Sequence, residues 1–160
     1  MTYNDILRRF RYALNINDRT MMEIFRLGEH PMDLVGLKDL LKKEDERGSV
    51  VCGGRVLGSF LDGFIIYKRG RQDAGGGQSK RPGRQLTNNL VLRKIRIALA
   101  LKEDDMLGIL KLANITLSKS ELSAFFRDTE HKNFKACGDQ VLRNFLNGLA
   151  VRYREKTRET

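Results

Sequence analysis

The residues that decide the fold are Cys52–Gly63, CGGRVLGSFLDG, and their near copy Cys137–Gly148, CGDQVLRNFLNG. The two stretches lie 85 residues apart, and the register that aligns them extends without a gap in both directions. It pairs residues 2–69 with residues 87–154, and 19 of these 68 pairs are identical. Chance similarity rarely runs so far without a gap, so the chain contains an internal tandem duplication.

Each copy has the apolar spacing of a small helical unit with about four helices. Apolar residues recur at helical spacing within Asn4–Leu14, and the equivalent positions of the second copy are apolar too. Asn4 and Asn89 are predicted to cap these first helices. Ser118 and Glu121 form a capping box ahead of a third helix. Because no stretch alternates polar and apolar residues over the length of a strand, no strand is expected.

The predicted fold is therefore all-α, with two pseudo-equivalent helical units packed together. One copy alone would bury only about 60% of the surface that its unfolded chain exposes. We therefore expect the copies to pack on each other with a pseudo-twofold relation, or to exchange elements between chains. Gly63 and Gly148 lie at equivalent mid-helix positions, where glycine costs about 1 kcal/mol relative to alanine. This repetition predicts a close approach by a neighbouring backbone or bulky side chain, with a helix kink as the alternative.

Composition divides the chain further into two repeats, a linker and a tail. Residues 2–69 form the first repeat and residues 87–154 the second. Residues 70–86 are rich in glycine and basic side chains and nearly free of apolar ones, which is typical of a flexible linker. The polar residues 155–160 are expected to fray as a tail.

The motifs give little support to catalysis. Neither histidine, His30 or His131, has a counterpart in the other copy, and no His-Glu-x-x-His, Cys-x-x-Cys or Gly-x-Ser-x-Gly occurs. The glycine-rich stretch before Lys80 lacks the spacing of a phosphate-binding loop and follows no predicted strand. We expect a protein that is not an enzyme and that uses no cofactor and no metal.

Cys52 and Cys137 occupy the same position in both copies, which leaves two interpretations open. They could form a redox pair, or be thiols activated by the helix N-terminus that follows each of them. They could instead serve as small apolar residues that anchor the last helix of each copy. Their apolar neighbours favour the second interpretation.

Hydropathy gives an expectation about location. No apolar stretch approaches the roughly 18 residues needed to span a bilayer. The first residues, MTYNDILRR, lack the apolar segment of a secretory signal. A soluble, cytoplasmic protein without membrane contact is expected.

The positive charge of the chain is distributed unevenly. Its 160 residues carry 30 Lys+Arg and 20 Asp+Glu, a formal net charge of +10. The first copy has twelve basic and ten acidic side chains, the linker has four and one, and the second copy has twelve and seven. The excess therefore belongs to the linker and the second copy. Clustered basic charge of this kind is one footprint of nucleic-acid binding.

Basic residues recur on the first helix of each copy. A helical wheel turns Arg8 and Arg9 away from the apolar face and puts Arg11 at its edge. With the linker, the candidate nucleic-acid-binding residues are Arg8, Arg9, Arg11, Arg93, Lys94, Arg96, Lys80, Arg81 and Arg84. Neutralising about six phosphates would give a slope near −5 for log affinity against log salt on duplex DNA. Alternatively, Arg11 and Arg96 close ion pairs with acidic residues at the start of the second helix, Asp18 and Glu103.

Three segments, Asn4–Leu14, Leu86–Arg96 and Cys137–Leu149, resemble the bacterial YehS-like family, and the resemblance spans essentially the full chain. The first copy departs from it at Cys52–Arg55, where a more polar start to the helix is expected. The resemblance implies a cytoplasmic bacterial protein made by tandem duplication of a domain of unknown function. It implies no activity.

Two functions are compatible with these observations. The first is a non-catalytic binding protein that contacts RNA or DNA through its duplicated basic helices and the basic linker. The second is a protein–protein adaptor or a small homo-oligomer, in which the charges serve mainly solubility.

Overall fold

The helices of the protein fall into two sets at equivalent positions. The computed structural model describes residues 1–71 and 85–159, which form eight α-helices and no strand. The first repeat contains α1 (Tyr3–Leu14), α2 (Asp18–Leu27), α3 (Leu34–Leu41) and α4 (Gly54–Arg69). The second contains α5 (Asn88–Ala98), α6 (Glu103–Leu112), α7 (Lys119–Ala124) and α8 (Asp139–Glu159). The all-α fold with two tandem helical units is confirmed. Within the described ranges, no helix has both the length and the apolar character to cross a membrane.

Each first helix is capped by a threonine rather than by the predicted asparagine. The Thr2 hydroxyl accepts a hydrogen bond from the backbone N–H of Asp5, and Thr87 caps α5 in the same way. The prediction that Asn4 and Asn89 are the caps is therefore wrong, because both lie inside the helix. The capping box of α7 is confirmed, since the Ser118 hydroxyl and the Glu121 carboxylate bond each other's backbone N–H groups.

The two asparagines instead tie down the loop that precedes the last helix of each repeat. Asn4 donates to the carbonyl oxygens of Leu40 and Val50 at 2.9 Å and accepts from the N–H of Cys52 at 2.8 Å. Asn89 makes the same three bonds with residues at the equivalent positions, Phe125, Lys135 and Cys137. An amide that satisfies three backbone groups, buried at Asn4 and partly buried at Asn89, is costly to replace, which explains why both copies have asparagine here.

The two repeats exchange their first helices. Helix α1 packs mainly along α8 of the second repeat, and α5 packs mainly along α4 of the first. The pairing is reciprocal, as a pseudo-twofold arrangement of the repeats requires. A single continuous core of buried apolar residues therefore runs through both repeats. At its centre the ring of Phe10 meets the ring of Phe64 edge to face, with centroids 4.9 Å apart.

The close approach predicted at the repeated glycines is confirmed. A Cβ built on Gly63 would collide with the carbonyl oxygen of Ile24 and lie 2.8 Å from the backbone nitrogen of Gly28. A Cβ on Gly148 would collide with the carbonyl oxygen of Ile109 in the same way. Glycine thus lets the backbone of the last helix touch the second helix in each repeat.

Candidate nucleic-acid interface

The basic residues of α1 are largely engaged within the protein. The Arg8 guanidinium donates to the carbonyl oxygen of Lys42 at 2.7 Å and pairs with the carboxylates of Asp5 and Glu44. Partial burial would raise the pKa of Asp5, but the hydrogen bonds and charge of Arg8 outweigh it, so this pKa lies below its ordinary value. The charge of Arg8 is therefore neutralised within the first repeat, by Asp5 and Glu44.

Arg11 and Arg9 are engaged in different ways. Arg11 donates to the carbonyl oxygen of Ile16 at 3.0 Å and pairs with Asp18, as the ion-pair alternative expects. Arg9 reaches across to the second repeat and donates to the amide oxygen of Asn147 at 3.2 Å. The carboxylate of Asp18 neutralises the guanidinium of Arg11, whereas the amide of Asn147 carries no charge and leaves that of Arg9 uncompensated by this contact.

Lys94, the equivalent of Arg9, corrects one expectation. It is not solvent-facing: its residue is only 3% exposed, and its ammonium group pairs with the carboxylate of Asp62 on α4. The helical wheel fails here because α5 is covered by α4 of the other repeat on the side where Lys94 lies. Since Asp62 and Asn147 are also equivalent, the same pair of positions forms an ion pair at Lys94 and a partly exposed amide contact at Arg9.

Arg93 and Arg96 on α5 keep their charges uncompensated. Arg93 donates to the carbonyl oxygen of Phe126 at 2.6 Å. Arg96 donates to the carbonyl oxygen of Leu101 at 3.1 Å, and its guanidinium carbon lies 4.7 Å from the centre of the Phe126 ring. Among the described residues neither forms an ion pair with a carboxylate, so the predicted alternative pair of Arg96 with Glu103 is not formed. Both guanidinium groups are therefore positioned without being neutralised.

The difference between the repeats is a loss of carboxylates, not a gain of cations. Two basic positions are kept, since Arg8 corresponds to Arg93 and Lys42 to Arg127, whereas Lys43 corresponds to Asp128. Three acidic residues that lie beside these cations in the first repeat, Asp5, Asp39 and Glu44, are replaced in the second by Leu90, Ala124 and Thr129. The second repeat therefore presents the more positive surface.

Arg93 and Arg96 line an open groove. This arginine groove has a volume of about 610 Å³ and is lined mainly by Arg69, Arg93, Arg96, Ile97, Leu101 and Phe126. Its walls thus combine guanidinium groups with an apolar floor. A second groove of about 280 Å³ shares Arg93 and adds Arg127, whose guanidinium is held by the carbonyl oxygen of Asn133 at 3.1 Å.

Three of the candidates, Lys80, Arg81 and Arg84, lie outside the described residues, as do residues 72–84 of the predicted linker generally. The structure adds three residues that sequence reasoning missed, Arg69, Phe126 and Arg127. Comparing the two copies for acidic positions that are lost, rather than for basic positions that are kept, points to this side of the second repeat.

Cys52 and Cys137 are buried free thiols. Burial raises the pKa of each to about 11 from an ordinary value of 9.0. A thiol of this kind carries almost no thiolate at neutral pH, which favours the interpretation of both as small apolar anchors over activated groups.

We expect both thiols to be unreactive in the folded protein. The raised pKa lowers the thiolate fraction at pH 8 by about a hundredfold, and burial slows the reagent further. Alkylation by iodoacetamide, followed by mass spectrometry, should label neither cysteine until denaturant unfolds the chain. Rapid labelling of one of them under native conditions would contradict this assignment and restore a redox role.

The geometry defines a protein of two helical repeats that exchange first helices and differ in surface charge. The chain belongs to the family described as "Protein of unknown function (DUF1456)", which matches residues 3–70 and again residues 88–155. It is 44% identical over 156 residues to "Uncharacterized protein YehS" of Escherichia coli (strain K12), covering 98% of this chain and 99% of that protein. No solved structure matches it. The resemblance to the YehS-like family and its tandem duplication are thus confirmed.

Proposed function

We propose that the protein is a non-catalytic binding protein that contacts RNA or DNA through the basic surface of its first helices. One observation carries this proposal: Arg93 and Arg96 are fixed by backbone carbonyls while their charges stay without a carboxylate partner among the described residues. An arginine held in this way has lost part of its freedom before a ligand arrives, so it binds an anion at a lower entropic cost.

Phosphate is the anion that suits this arrangement. A guanidinium group presents several N–H donors in one plane, which matches two oxygens of a phosphate. It also remains protonated at every physiological pH, so it suits binding rather than proton transfer. The protein has a net charge of +10, which favours a ligand with many phosphates. A polynucleotide therefore suits it better than a single small anion.

The proposal is tested by the salt dependence of binding. Fluorescence anisotropy with labelled RNA and DNA of about 20 nucleotides should show at least a tenfold loss of affinity between about 50 and about 200 mM salt. The physical reason is that each phosphate neutralised by arginine releases a condensed cation. No binding at micromolar protein in low salt, or binding that salt does not change, would contradict the proposal.

Charge reversal then links the binding to the arginines. Arg93→Glu combined with Arg96→Glu should weaken binding by tenfold or more. The matched control is Lys38→Glu combined with Lys111→Glu, which changes the net charge equally at exposed positions that line neither groove of the second repeat. Equal losses for both double variants would mean that only the overall charge matters.

A second function, protein–protein adaptor, is favoured by a different surface. Val51 is 86% exposed and Val35 is 67% exposed, and Val50 is bonded to α3 through the carbonyl oxygen of Asp39. The equivalent residues of the second repeat are more polar or smaller: Ser120, Lys135 and Ala136. Exposed valines that the second repeat lacks at the equivalent positions are compatible with an interaction surface on the first repeat. Purification from lysate at two salt concentrations, with and without nuclease, separates the functions: a protein partner persists at high salt and after nuclease, whereas bound nucleic acid does not.

A further inference from the structure

We infer that nucleic-acid binding is confined to the surface around α5, the first helix of the second repeat, where the arginine groove takes a single strand rather than a duplex. This inference rests on the proposed function and deepens it. It treats the protein as an asymmetric duplicate, with one repeat that has kept a binding surface and one whose equivalent surface is closed by its own side chains.

The equivalent arginines of the first repeat are already occupied. Arg8 is paired with Asp5 and Glu44, and Arg11 is paired with Asp18. Arg154 of α8, the helix that packs along α1, donates to the carbonyl oxygen of Tyr12 at 2.8 Å, and its guanidinium carbon lies 4.1 Å from the centre of the Tyr12 ring. A phosphate that approaches this surface meets carboxylates as well as cations. It gains little there, because the existing pairs would have to be broken first.

The second repeat offers the same geometry without that competition. The loss of carboxylates at Leu90 and Thr129 leaves Arg93 with a backbone carbonyl as its partner. No acidic side chain of the described residues lines the arginine groove, which is bordered by Arg93 and Arg96 of α5 and by Arg69 at the end of α4. The first-repeat groove beside Arg8 contains both Asp5 and Glu44. Electrostatic attraction for phosphate is therefore concentrated on one repeat.

The aromatic ring in the groove favours a single strand. Arg96 lies over Phe126, and a guanidinium stacked on a ring offers a flat outer face on which an unpaired base can stack. Base stacking of this kind is available only to nucleotides whose bases are not already stacked in a helix. The equivalent of Phe126 in the first repeat is Leu41, and the ring that lines the groove beside Arg8 is instead Tyr12, in a groove that also holds Asp5 and Glu44. Ile97 and Leu101 add an apolar floor that a base can cover.

The two grooves together give a path longer than one nucleotide. They meet at Arg93, which lines both, and Arg127 continues the basic surface on the far side. Phe125 and Phe134 also line the second groove. One carboxylate residue, Asp128, lines the second groove beside Arg127. Cations spread along two adjoining grooves, with aromatic rings between them, suit a strand of several nucleotides better than a free nucleotide.

The test compares matched variants of the two repeats on a single strand of about 20 nucleotides and on the duplex of the same sequence. Arg93→Gln with Arg96→Gln should weaken single-strand binding by tenfold or more. The control, Arg8→Gln with Arg11→Gln, removes the same net charge from the equivalent positions and should change it by less than threefold. Circular dichroism and thermal unfolding of each variant establish that both are folded.

A second variant tests the stacking step without altering charge. Phe126→Leu gives the second repeat the residue of the first, and it should weaken single-strand binding by about threefold or more. Binding of the duplex, which is expected to be weaker from the start, should not change. A mononucleotide added as competitor should displace the strand poorly.

The outcomes distinguish the two levels of the proposal. If neither form of nucleic acid binds in low salt, the proposed function fails. If nucleic acid binds but both double variants weaken it equally, the function stands and its confinement to the second repeat is wrong. If the duplex binds as tightly as the single strand, or Phe126→Leu changes both alike, the preference for a single strand is wrong.

Discussion

Gly63→Ala is expected to lower the free energy of unfolding by about 3 kcal/mol, the upper part of the range for overpacked cores. The added methyl group would collide with the carbonyl oxygen of Ile24 and lie 3.0 Å from the carbonyl carbon of the same residue. These atoms belong to the backbone of α2, so no flexible side chain can move aside. Relief requires that α2 and α4 separate, and separation opens the core around Phe25 and Phe60, whose ring centroids are 4.9 Å apart.

The same contact is seen from the opposite helix. A Cβ on Gly28, the C-cap residue of α2, would collide with the carbonyl oxygen of Ser59 and lie 3.3 Å from the nitrogen of Gly63. In the second repeat a Cβ on Gly148 would lie 2.9 Å from the carbonyl carbon of Ile109. We therefore expect Gly148→Ala to destabilise the protein by a similar amount. The double variant Gly63→Ala with Gly148→Ala should fail to fold cooperatively.

Helix α4 contains its own control. Gly58 lies in the same helix with nothing within 4 Å of a Cβ built on it. Gly58→Ala should therefore stabilise the protein by about 0.5–1 kcal/mol, because alanine is the better helix former. Denaturant unfolding followed by circular dichroism measures all three substitutions. If Gly63→Ala costs no more than about 1 kcal/mol, the backbone contact between α2 and α4 is not as close as the structure has it.

The repetition of a glycine is what makes this contact predictable from sequence. One mid-helix glycine has many explanations, whereas two at equivalent positions with the same apolar neighbours indicate a steric requirement. The all-α class and the four helices in each repeat follow from apolar periodicity for a similar reason. Both are properties of a single element or of its immediate neighbours along the chain.

Features that depend on distant segments were not predictable in this way. Asn4 lies next to a helix start and resembles a cap, but its role comes from the loop around Val50, which periodicity does not place. The exchange of first helices is equally hidden. The apolar face of α1 is buried whether it packs on α4 or on α8, so the sequence pattern is the same for both arrangements.

The candidate interface also combines features that the sequence shows with features that only the fold determines. Arginines on a helix are visible in the sequence, but their compensation depends on which carboxylates come near. Glu44 lies 36 residues from Arg8 and neutralises it, while Glu103 lies seven residues from Arg96 and does not. Only the folded chain separates a neutralised cation from an available one.

The second large effect is expected from Lys94→Met, which should lower the free energy of unfolding by about 3 kcal/mol. Methionine keeps the length and apolar stem of lysine but leaves the Asp62 carboxylate without its ammonium partner. The side chain of Asp62 is 23% exposed, so water reaches it only in part. A poorly solvated charge without a partner is the main source of the loss.

Arg9→Met is the matched control, since Arg9 occupies the equivalent position and faces the neutral amide of Asn147. It leaves no charge behind and should cost less than about 1 kcal/mol. The double variant Lys94→Met with Asp62→Leu should recover most of the stability lost in Lys94→Met, because a buried ion pair replaced by apolar groups is often near neutral.

These three variants form a direct test of what the ion pair contributes, measured by denaturant unfolding at neutral pH. If Lys94→Met and the double variant are equally unstable, the loss comes from packing of the lysine stem and not from the uncovered carboxylate. If Lys94→Met is as stable as Arg9→Met, Lys94 is not buried against Asp62. Its ammonium group then belongs on the basic surface with Arg93, as the helical wheel places it. If only Lys94→Met is strongly destabilised, Lys94 belongs to the contact between α5 and α4. Its substitution there leaves the Asp62 carboxylate poorly solvated and without the ammonium group.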